Sequence, residues 1–375
     1  MAAIFTPGLK VSEHTVLVKD RRLPIEGEVL VEVGQQVGAD EIVARTELPG
    51  KIYPVNVANQ LAIDPGRLGE AMIKAVGDSV AQGDVVARSP GLFGLFKSEA
   101  TAPVSGTIES ISTITGQVIY QAAPIPVEVD AYIRGRVIEV IEGEGCVIQA
   151  AATLIQGIFG LGGEVKAELA MAVEAPADVL DVSAITPELA GKIAVGGSYA
   201  TLEGIQAAIK HGLAGIVTGG FDYDEIKELL GYEVGVAITG GEDLGLTLIV
   251  TEGFGKIQMA PATFALLSKK AGSRASINGA TQIRAGVIRP EVVVTFDDEQ
   301  MPADRIDPGE PRGIAIGDEV RGIRAPWFGR LGEVTDLPVE PVVLGSGSPA
   351  RVMEVRFEDG TVARIPRANV EVIEQ

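Results

Sequence analysis

The sequence contains very few of the residues that carry structural zinc sites and disulfides. Its 375 residues include one cysteine, Cys146, and two histidines, His14 and His211. A structural zinc site needs four Cys or His ligands, and a disulfide within the chain needs a second cysteine. Both are therefore excluded, and the sequence predicts neither a metal site nor a cofactor.

An excess of positive charge is also missing. Lys and Arg number 31 against 51 Asp and Glu, so the net charge is −20, which opposes non-specific binding to nucleic acid or anionic lipid. Aromatic residues make up only 5%, whereas the 47 glycines are nearly twice the usual share. This composition is typical of short β-strands joined by tight turns.

No export signal or membrane span is recognisable. The first 22 residues lack a basic head followed by a continuous apolar stretch, so we expect a cytoplasmic location. Residues 145–163 carry no charge, but Gln149, Gln156 and several glycines interrupt them and no basic flank adjoins them. The stretch predicts a buried strand followed by a glycine-rich turn.

Two segments of the first third share one pattern at one spacing, from Val33 to Arg45 and from Val76 to Arg88. In each, a Val-Gly pair opens a turn, a valine follows three residues after the glycine, and Ile/Val-Val-Ala-Arg begins the next strand. The fixed internal spacing favours a duplicated unit over a simple meander of hairpins.

The segments IKAVGDSVAQGDVVAR and TAPVSGTIESISTITGQVI resemble the two halves of a barrel-sandwich hybrid. That fold serves in biotinyl and lipoyl carrier domains, and also in membrane-fusion adaptors, electron-transport subunits and RNA polymerase. The resemblance implies a lysine at a hairpin tip, and Lys97 is the candidate, although its neighbours Phe96 and Ser98 depart from the carrier pattern. We expect Lys97 to be unmodified and the apolar tip, which includes Phe93 and Phe96, to dock a partner.

From about residue 178, short apolar runs alternate with helical segments, which is typical of α/β units. The stretch Ile-Val-Thr-x-Gly-Phe occurs at 216–221 and again at 249–254. Ser198 is predicted to cap the first helix, and Asp222 and Glu225 are predicted to form a capping box at the start of the second. The predicted helix stops are Gly212, Gly231 and Gly272. The pattern predicts a central α/β domain of repeated βα units.

Glycine-rich turns at the carboxyl ends of these strands are candidate sites for a small anionic ligand, because helix N-termini there offer free N–H groups. The candidate residues are Gly196, Gly197, Ser198, Thr218, Gly219, Gly220, Thr251 and Gly253. The standard phosphate-binding motifs are absent from the sequence, and nearby carboxylates repel phosphate. The other interpretation is that the glycines permit close packing and tight turns.

No residue pattern supports catalysis. The Gly-x-Ser-x-Gly motif is missing, and Cys146 lies in an apolar run, where a free thiol is usually inert. His211 adjoins a helix stop, where it favours the helix dipole or faces solvent. We predict no catalytic residues, with an enzyme that uses carboxylates and a metal as the alternative.

The C-terminal segments GDEVRGIRAPWFGRLGEVTDL and RVMEVRFEDGTVARIPRANVEVIE predict paired strands, with a hairpin turn at 358–360. They resemble the KOW-motif domain, a small five-stranded barrel of ribosomal proteins and transcription elongation factors. The resemblance implies that the loop at 324–330 meets RNA or protein. The candidate partner-binding residues are Arg321, Arg324, Trp327, Phe328 and Arg330, together with Phe93 and Phe96 of the hairpin.

Charge favours a protein partner for this barrel. Residues 317–375 hold seven arginines, no lysine and ten acidic residues, hence 7 − 10 = −3. Phosphate attraction dominates nucleic-acid affinity, so a net negative module is better suited to protein contact.

The fold expected from these patterns is a multidomain α+β protein. The predicted divisions are a barrel-sandwich-like β domain (1–130), a β hairpin with a glycine-rich connector (131–177), the α/β domain (178–296), an acidic proline-containing linker (297–316) and the KOW-type barrel (317–375). The functional hypothesis is a non-catalytic cytoplasmic binding or scaffold protein that contacts a protein partner, or itself, through the apolar hairpin and the barrel. One alternative is an RNA-binding transcription or translation factor. A second is an anionic-ligand sensor or enzyme at the glycine turns.

Overall fold

The computed structural model describes residues 9–89, 98–232, 240–242, 244–282, 288–296, 314–322, 326–327, 330–338, 340–343, 349–357 and 359–374. The protein is mostly β, with 48% strand and 15% helix. The helices are α1 Val57–Leu61, α2 Leu68–Ala71, α3 Leu202–Lys210, α4 Tyr223–Leu230 and α5 Pro261–Lys269, and short 3₁₀ turns occupy Pro65–Arg67, Val182–Ala184, Pro187–Leu189 and Arg367–Asn369.

The strands of the first half are β1 Leu9–Arg22, β2 Glu28–Val29, β3 Gln36–Val37, β4 Ile42–Leu48, β5 Ile52–Asn56, β6 Ser79–Val80, β7 Val85–Arg88, β8 Glu99–Thr101, β9 Gly106–Ile111, β10 Gln117–Ala122, β11 Ile125–Asp130, β12 Gly135–Ile141, β13 Gly145–Gln156, β14 Phe159–Leu161 and β15 Glu164–Met171. Those of the second half are β16 Val179–Leu180, β17 Ile193–Val195, β18 Tyr199–Ala200, β19 Gly215–Phe221, β20 Thr247–Phe254, β21 Arg274–Asn278, β22 Glu291–Thr295, β23 Glu319–Gly322, β24 Leu331–Asp336, β25 Val342–Val343, β26 Pro349–Ala350, β27 Val352–Phe357, β28 Val362–Pro366 and β29 Val370–Glu374.

The predicted duplicated unit is confirmed, and its two copies are nested. The outer unit consists of β1–β4 and β11–β13, and the inner unit consists of β5–β10, inserted between β4 and β11. Strand β4 pairs with β11 in the outer unit as β7 pairs with β8 in the inner unit, with Ala44 opposite Val129 and Ala87 opposite Ala100. Both ladders are irregular next to that pair, so even the local distortion is repeated.

The turns of the two units also match. Gly34 and Gly77 both have φ of 90°, a conformation that glycine adopts without steric cost. The backbone N–H of Gln35 donates to the Glu32 carbonyl at 3.1 Å. In the inner unit the N–H of Asp78 donates to the Ala75 carbonyl at the same distance. These equivalences show that the shared sequence pattern encodes the same β framework twice.

Each unit has its own apolar core. Val37 and Val43 are buried in the outer unit together with residues of β12, β13 and Val293 of β22. Val80 and Val86 are buried at the equivalent positions of the inner unit. These four repeated valines therefore serve packing, whereas Val33 and Val76 of the Val-Gly pairs are exposed.

The prediction of a central α/β domain of repeated βα units is wrong. Strands β15, β17, β19 and β20 are parallel neighbours, but β14, β21 and β22 add antiparallel pairings, and β22 continues the sheet to β13 of the outer unit. The mostly β structure has only five short helices in its described part. Alternating strands and helices in a sequence do not reveal these antiparallel neighbours, because β14 lies before the predicted domain, and β21 and β22 follow its last helix, α5.

The helix boundaries near this sheet were predicted in large part. Asp222 caps α4 by accepting the N–H of Asp224 at 2.9 Å, and Gly231 ends that helix in the left-handed conformation. Ser198 does not cap α3, because Thr201 occupies that position and accepts from the Gly204 N–H. Ser198 instead donates to the carbonyl of Ala177 at 2.8 Å.

In the region of the predicted C-terminal barrel, β29, β23, β24, β27 and β28 pair antiparallel in that order around buried residues such as Val334, Met353 and Ile365. Within the described residues no strand pairing joins β28 back to β29, and this five-stranded unit is called the barrel below. The predicted hairpin is confirmed, since β27 and β28 pair antiparallel on either side of Gly360. Strand β29 also runs parallel to the start of β1, with Leu9 opposite Ile373. One sixteen-stranded sheet thus links the barrel to the rest of the molecule.

The first part of the uncharged stretch at 145–163 forms the buried strand β13, as predicted, whereas the part predicted as a glycine-rich turn contains a second buried strand, β14. Among the helices of the described ranges, none combines the length and apolar character needed to cross a membrane.

Candidate interaction site

Arg321 joins the barrel to the rest of the molecule through a buried ion pair. Its Nη1 donates to Glu252 Oε2 at 2.8 Å and to the Thr251 carbonyl at 3.0 Å. The Arg321 side chain is 2% exposed and that of Glu252 is 7% exposed. Glu252 Oε1 accepts the Ala260 N–H, at 3.0 Å, at the start of α5. One carboxylate therefore fastens β23, β20 and α5 together.

Trp327 and Arg330 lie together on the barrel. The Trp327 ring stacks on Phe357, with centroids 4.8 Å apart and planes at 19°. The Arg330 guanidinium lies 4.4 Å from the Phe357 centroid and 5.2 Å from that of Trp327, and it forms an ion pair with Asp359. The charge of Arg330 is thereby partly neutralised, while the half-buried indole keeps one part in solvent.

The structure brings together only part of the predicted partner-binding set. Trp327 and Arg330 are adjacent, whereas Arg321 is buried in its own ion pair. Arg324, Phe328, Phe93, Phe96 and Lys97 lie outside the described residues. The base of the hairpin that carries the two phenylalanines is described, and Arg88 there pairs with Glu99 across β7 and β8.

Most of the predicted ligand-binding residues lie close together. They are inside strands, however, and the backbone of neighbouring segments covers several of them. Thr218, Gly219 and Gly220 belong to β19, and Thr251 and Gly253 belong to β20. The Gly219 N–H donates to the Gly197 carbonyl at 2.8 Å, and Thr251 Oγ1 donates to the Thr218 carbonyl at 3.3 Å.

Close packing accounts for several of these glycines. A Cβ at Gly197 would collide with the Asp178 carbonyl, and one at Gly220 would collide with that of Gly255. Gly196 and Ser198 are buried beside them. Anion binding at this set stays a prediction.

A cavity near these residues was not predicted. This α5 cleft, of about 620 Å³, lies between β1, α5 and the barrel. The side chains that line it include Leu9, Val11, Glu13, Gln156, Thr251, Glu252, Ala262, Ala265, Leu266, Lys269, Glu319, Arg321 and Leu331. The sequence periodicity shows the apolar faces of β1 and α5, but not that two segments so distant along the chain face each other.

The groups suited to acid–base or metal chemistry are dispersed. Burial raises the pKa of Cys146 to about 11, so its thiol stays protonated near neutral pH. The His14 ring stacks on Phe296 with centroids 5.2 Å apart. In the described ranges, His, Cys, Asp and Glu side chains form no group of three that could hold a metal ion.

Neither protein-family models nor curated protein sequences give a match to this chain. Inference about its function therefore depends on the contacts of its own residues.

Proposed function

We propose that this chain is a non-catalytic cytoplasmic binding or scaffold protein, and that its C-terminal barrel contacts a protein partner or a second copy of the chain. The contact surface, here called the Trp327 surface, consists of Pro326, Trp327 and Arg330. The observation that supports a protein partner is the engagement of Arg321 and Arg330 with carboxylates of the same chain. The apolar hairpin with Phe93 and Phe96 is the second contact of this proposal.

The same contacts weaken the RNA-binding alternative. Arg321 can reach a phosphate only by leaving Glu252 buried without its partner, which is energetically costly. Arg330 would have to exchange Asp359 for a phosphate within a chain of net charge −20. Trp327, in contrast, offers a rigid and partly exposed aromatic ring, a residue type that often anchors protein contacts.

A photo-crosslinking amino acid at position 326 tests the proposal in cells that contain the full chain, because Pro326 is exposed beside Trp327. We expect protein adducts that resist ribonuclease and disappear in Trp327→Ala. The same crosslinker at Tyr232, exposed after α4, is the matched control and should not give these adducts. Adducts that are unchanged by Trp327→Ala would contradict the proposal.

Fluorescence separates protein from RNA recognition, because Trp327 is the single tryptophan. We expect no saturable change in its emission with single- or double-stranded RNA at physiological ionic strength. A titration that weakens steeply with salt and is lost in Arg324→Ala with Arg330→Ala would favour the RNA-binding alternative, since such salt dependence reports phosphate contacts.

A further inference from the structure

The α5 cleft has the size and walls of a small-molecule site. Leu9, Val11 and Glu13 alternate along β1 and so lie on one face of the strand. Ala262, Ala265, Leu266 and Lys269 lie on one face of α5, at the spacing that brings helical residues together. The two alanines are short and exposed, so they leave space between strand and helix. A volume of about 620 Å³ falls within the usual range for ligand pockets.

The cations of the cleft are already neutralised. Lys269 pairs with Glu13, which joins α5 to β1, and Arg321 pairs with Glu252 at the barrel side. Glu252 also accepts the N–H at the start of α5, so a carboxylate of this chain already occupies the positive end of that helix. Glu319, the remaining charged residue of the lining, also interacts within the chain. An anionic ligand would have to displace Glu252 or Glu13, and a cationic ligand would have to displace the present partners of these carboxylates. Charge therefore favours a neutral ligand.

Gln156 provides a polar contact in this apolar setting. Its Oε1 accepts the Lys10 N–H at 3.0 Å, which fixes the orientation of the amide. The Gln156 Nε2 group makes no hydrogen bond to another residue in the described part of the chain. It is thus oriented to donate to an acceptor on a bound molecule.

From these observations we propose that the α5 cleft binds a neutral, largely apolar small molecule that carries a hydrogen-bond acceptor such as a carbonyl or ether oxygen. The apolar body lies between α5 and β1, and the acceptor receives a hydrogen bond from Gln156. Because Leu331 and Glu319 come from the barrel, the ligand contacts the barrel and the rest of the molecule at once. The residues that line the cleft do not include Pro326, Trp327 or Arg330, so either proposal can fail without the other.

Nile red, a neutral apolar dye with a carbonyl acceptor, is a direct probe for the full chain. We expect saturable binding of one dye per chain, with a blue shift and increased emission. In Ala265→Leu the larger side chain fills the cleft, and affinity should fall by about tenfold or more. Ser268→Leu adds the same side chain to an exposed position of α5 outside the cleft and should bind the dye normally.

Two further measurements decide the ligand class. Gln156→Leu should lower the affinity for Nile red several-fold. Its thermal unfolding, followed by Trp327 emission, should occur at the same temperature as that of Ser268→Leu. The anionic dye anilinonaphthalene sulfonate should bind more weakly than Nile red and fail to displace it. If Nile red binding is non-saturable, or equal in Ala265→Leu and the unmodified chain, the proposal is wrong. Displacement by the anionic dye at comparable concentration would likewise overturn the assignment of a neutral ligand.

Discussion

At the scale of single residues, the ion pair of Arg321 and Glu252 joins the barrel to the rest of the molecule. Removing two charges from water is costly, and their mutual attraction compensates only when further hydrogen bonds satisfy both groups. Here Thr251 and the backbone of Ala260 supply such bonds at 3.0 Å each. The pair therefore favours one position of the barrel over alternatives.

We expect Arg321→Met to destabilise the protein by about 3–5 kcal/mol, because Glu252 would be left buried without its cation. Denaturant unfolding, followed by Trp327 emission in the barrel and by circular dichroism, measures this loss. Arg356→Met is the matched control, since Arg356 is exposed on β27 of the same barrel, and its effect should stay within about 0.5 kcal/mol. Equal effects of the two substitutions would show that the ion pair contributes nothing.

The ion pair of Arg321 could not be predicted from the sequence. Arg321 was predicted to bind a partner, because it precedes the loop that meets RNA or protein in KOW-type barrels. Its carboxylate partner lies 69 residues earlier in the chain, and no local pattern connects the two. Trp327 and Arg330 are close together in sequence, and their adjacency in the structure was therefore accessible to local reasoning.

At the scale of elements, local signals predicted local structure. The Val-Gly pairs predicted turns, and Gly34 and Gly77 adopt the positive φ that such turns use. Asp222 and Gly231 gave the start and end of α4 correctly. Strand partners could not be predicted in the same way, because β14, β21 and β22 reach their neighbours through long-range contacts. The error about the α/β domain came from this difference.

The nesting of the two units gives a prediction about deletion. Leu48 and Ile125 are opposite each other where β4 and β11 pair, so a short turn can replace everything between them. We expect a chain in which two to four turn residues replace residues 50–123 to fold, with the outer unit and barrel intact. The excised segment should also fold separately, because its core is its own.

Heteronuclear NMR spectra of both fragments test this expectation. Their resonances should superimpose on those of the full chain, except near the new junction. A deletion that replaces residues 79–152 removes the same number of residues (152 − 79 = 123 − 50) but cuts both cores, and it should not fold. Unfolded fragments in the first experiment would mean that the two units stabilise each other.

At the scale of the whole molecule, charge acts against compactness. A net charge of −20 gives self-repulsion that salt screens, whereas the buried Arg321–Glu252 pair is screened much less. We therefore expect the Tm to rise between low and physiological ionic strength. Differential scanning calorimetry should show the same rise with sodium chloride and with tetramethylammonium chloride, because screening is independent of the cation. A fall in Tm would indicate that exposed ion pairs outweigh the repulsion.

Nesting also sets an order of events during synthesis. Strand β4 ends at Leu48, and its partner β11 starts at Ile125, 77 residues later (125 − 48). At about 5–20 residues per second the ribosome needs roughly 4–15 s for that interval. The inner unit is therefore complete before the outer unit can close its β4–β11 ladder. The start of β1 waits longer still, because its partner β29 begins only at Val370.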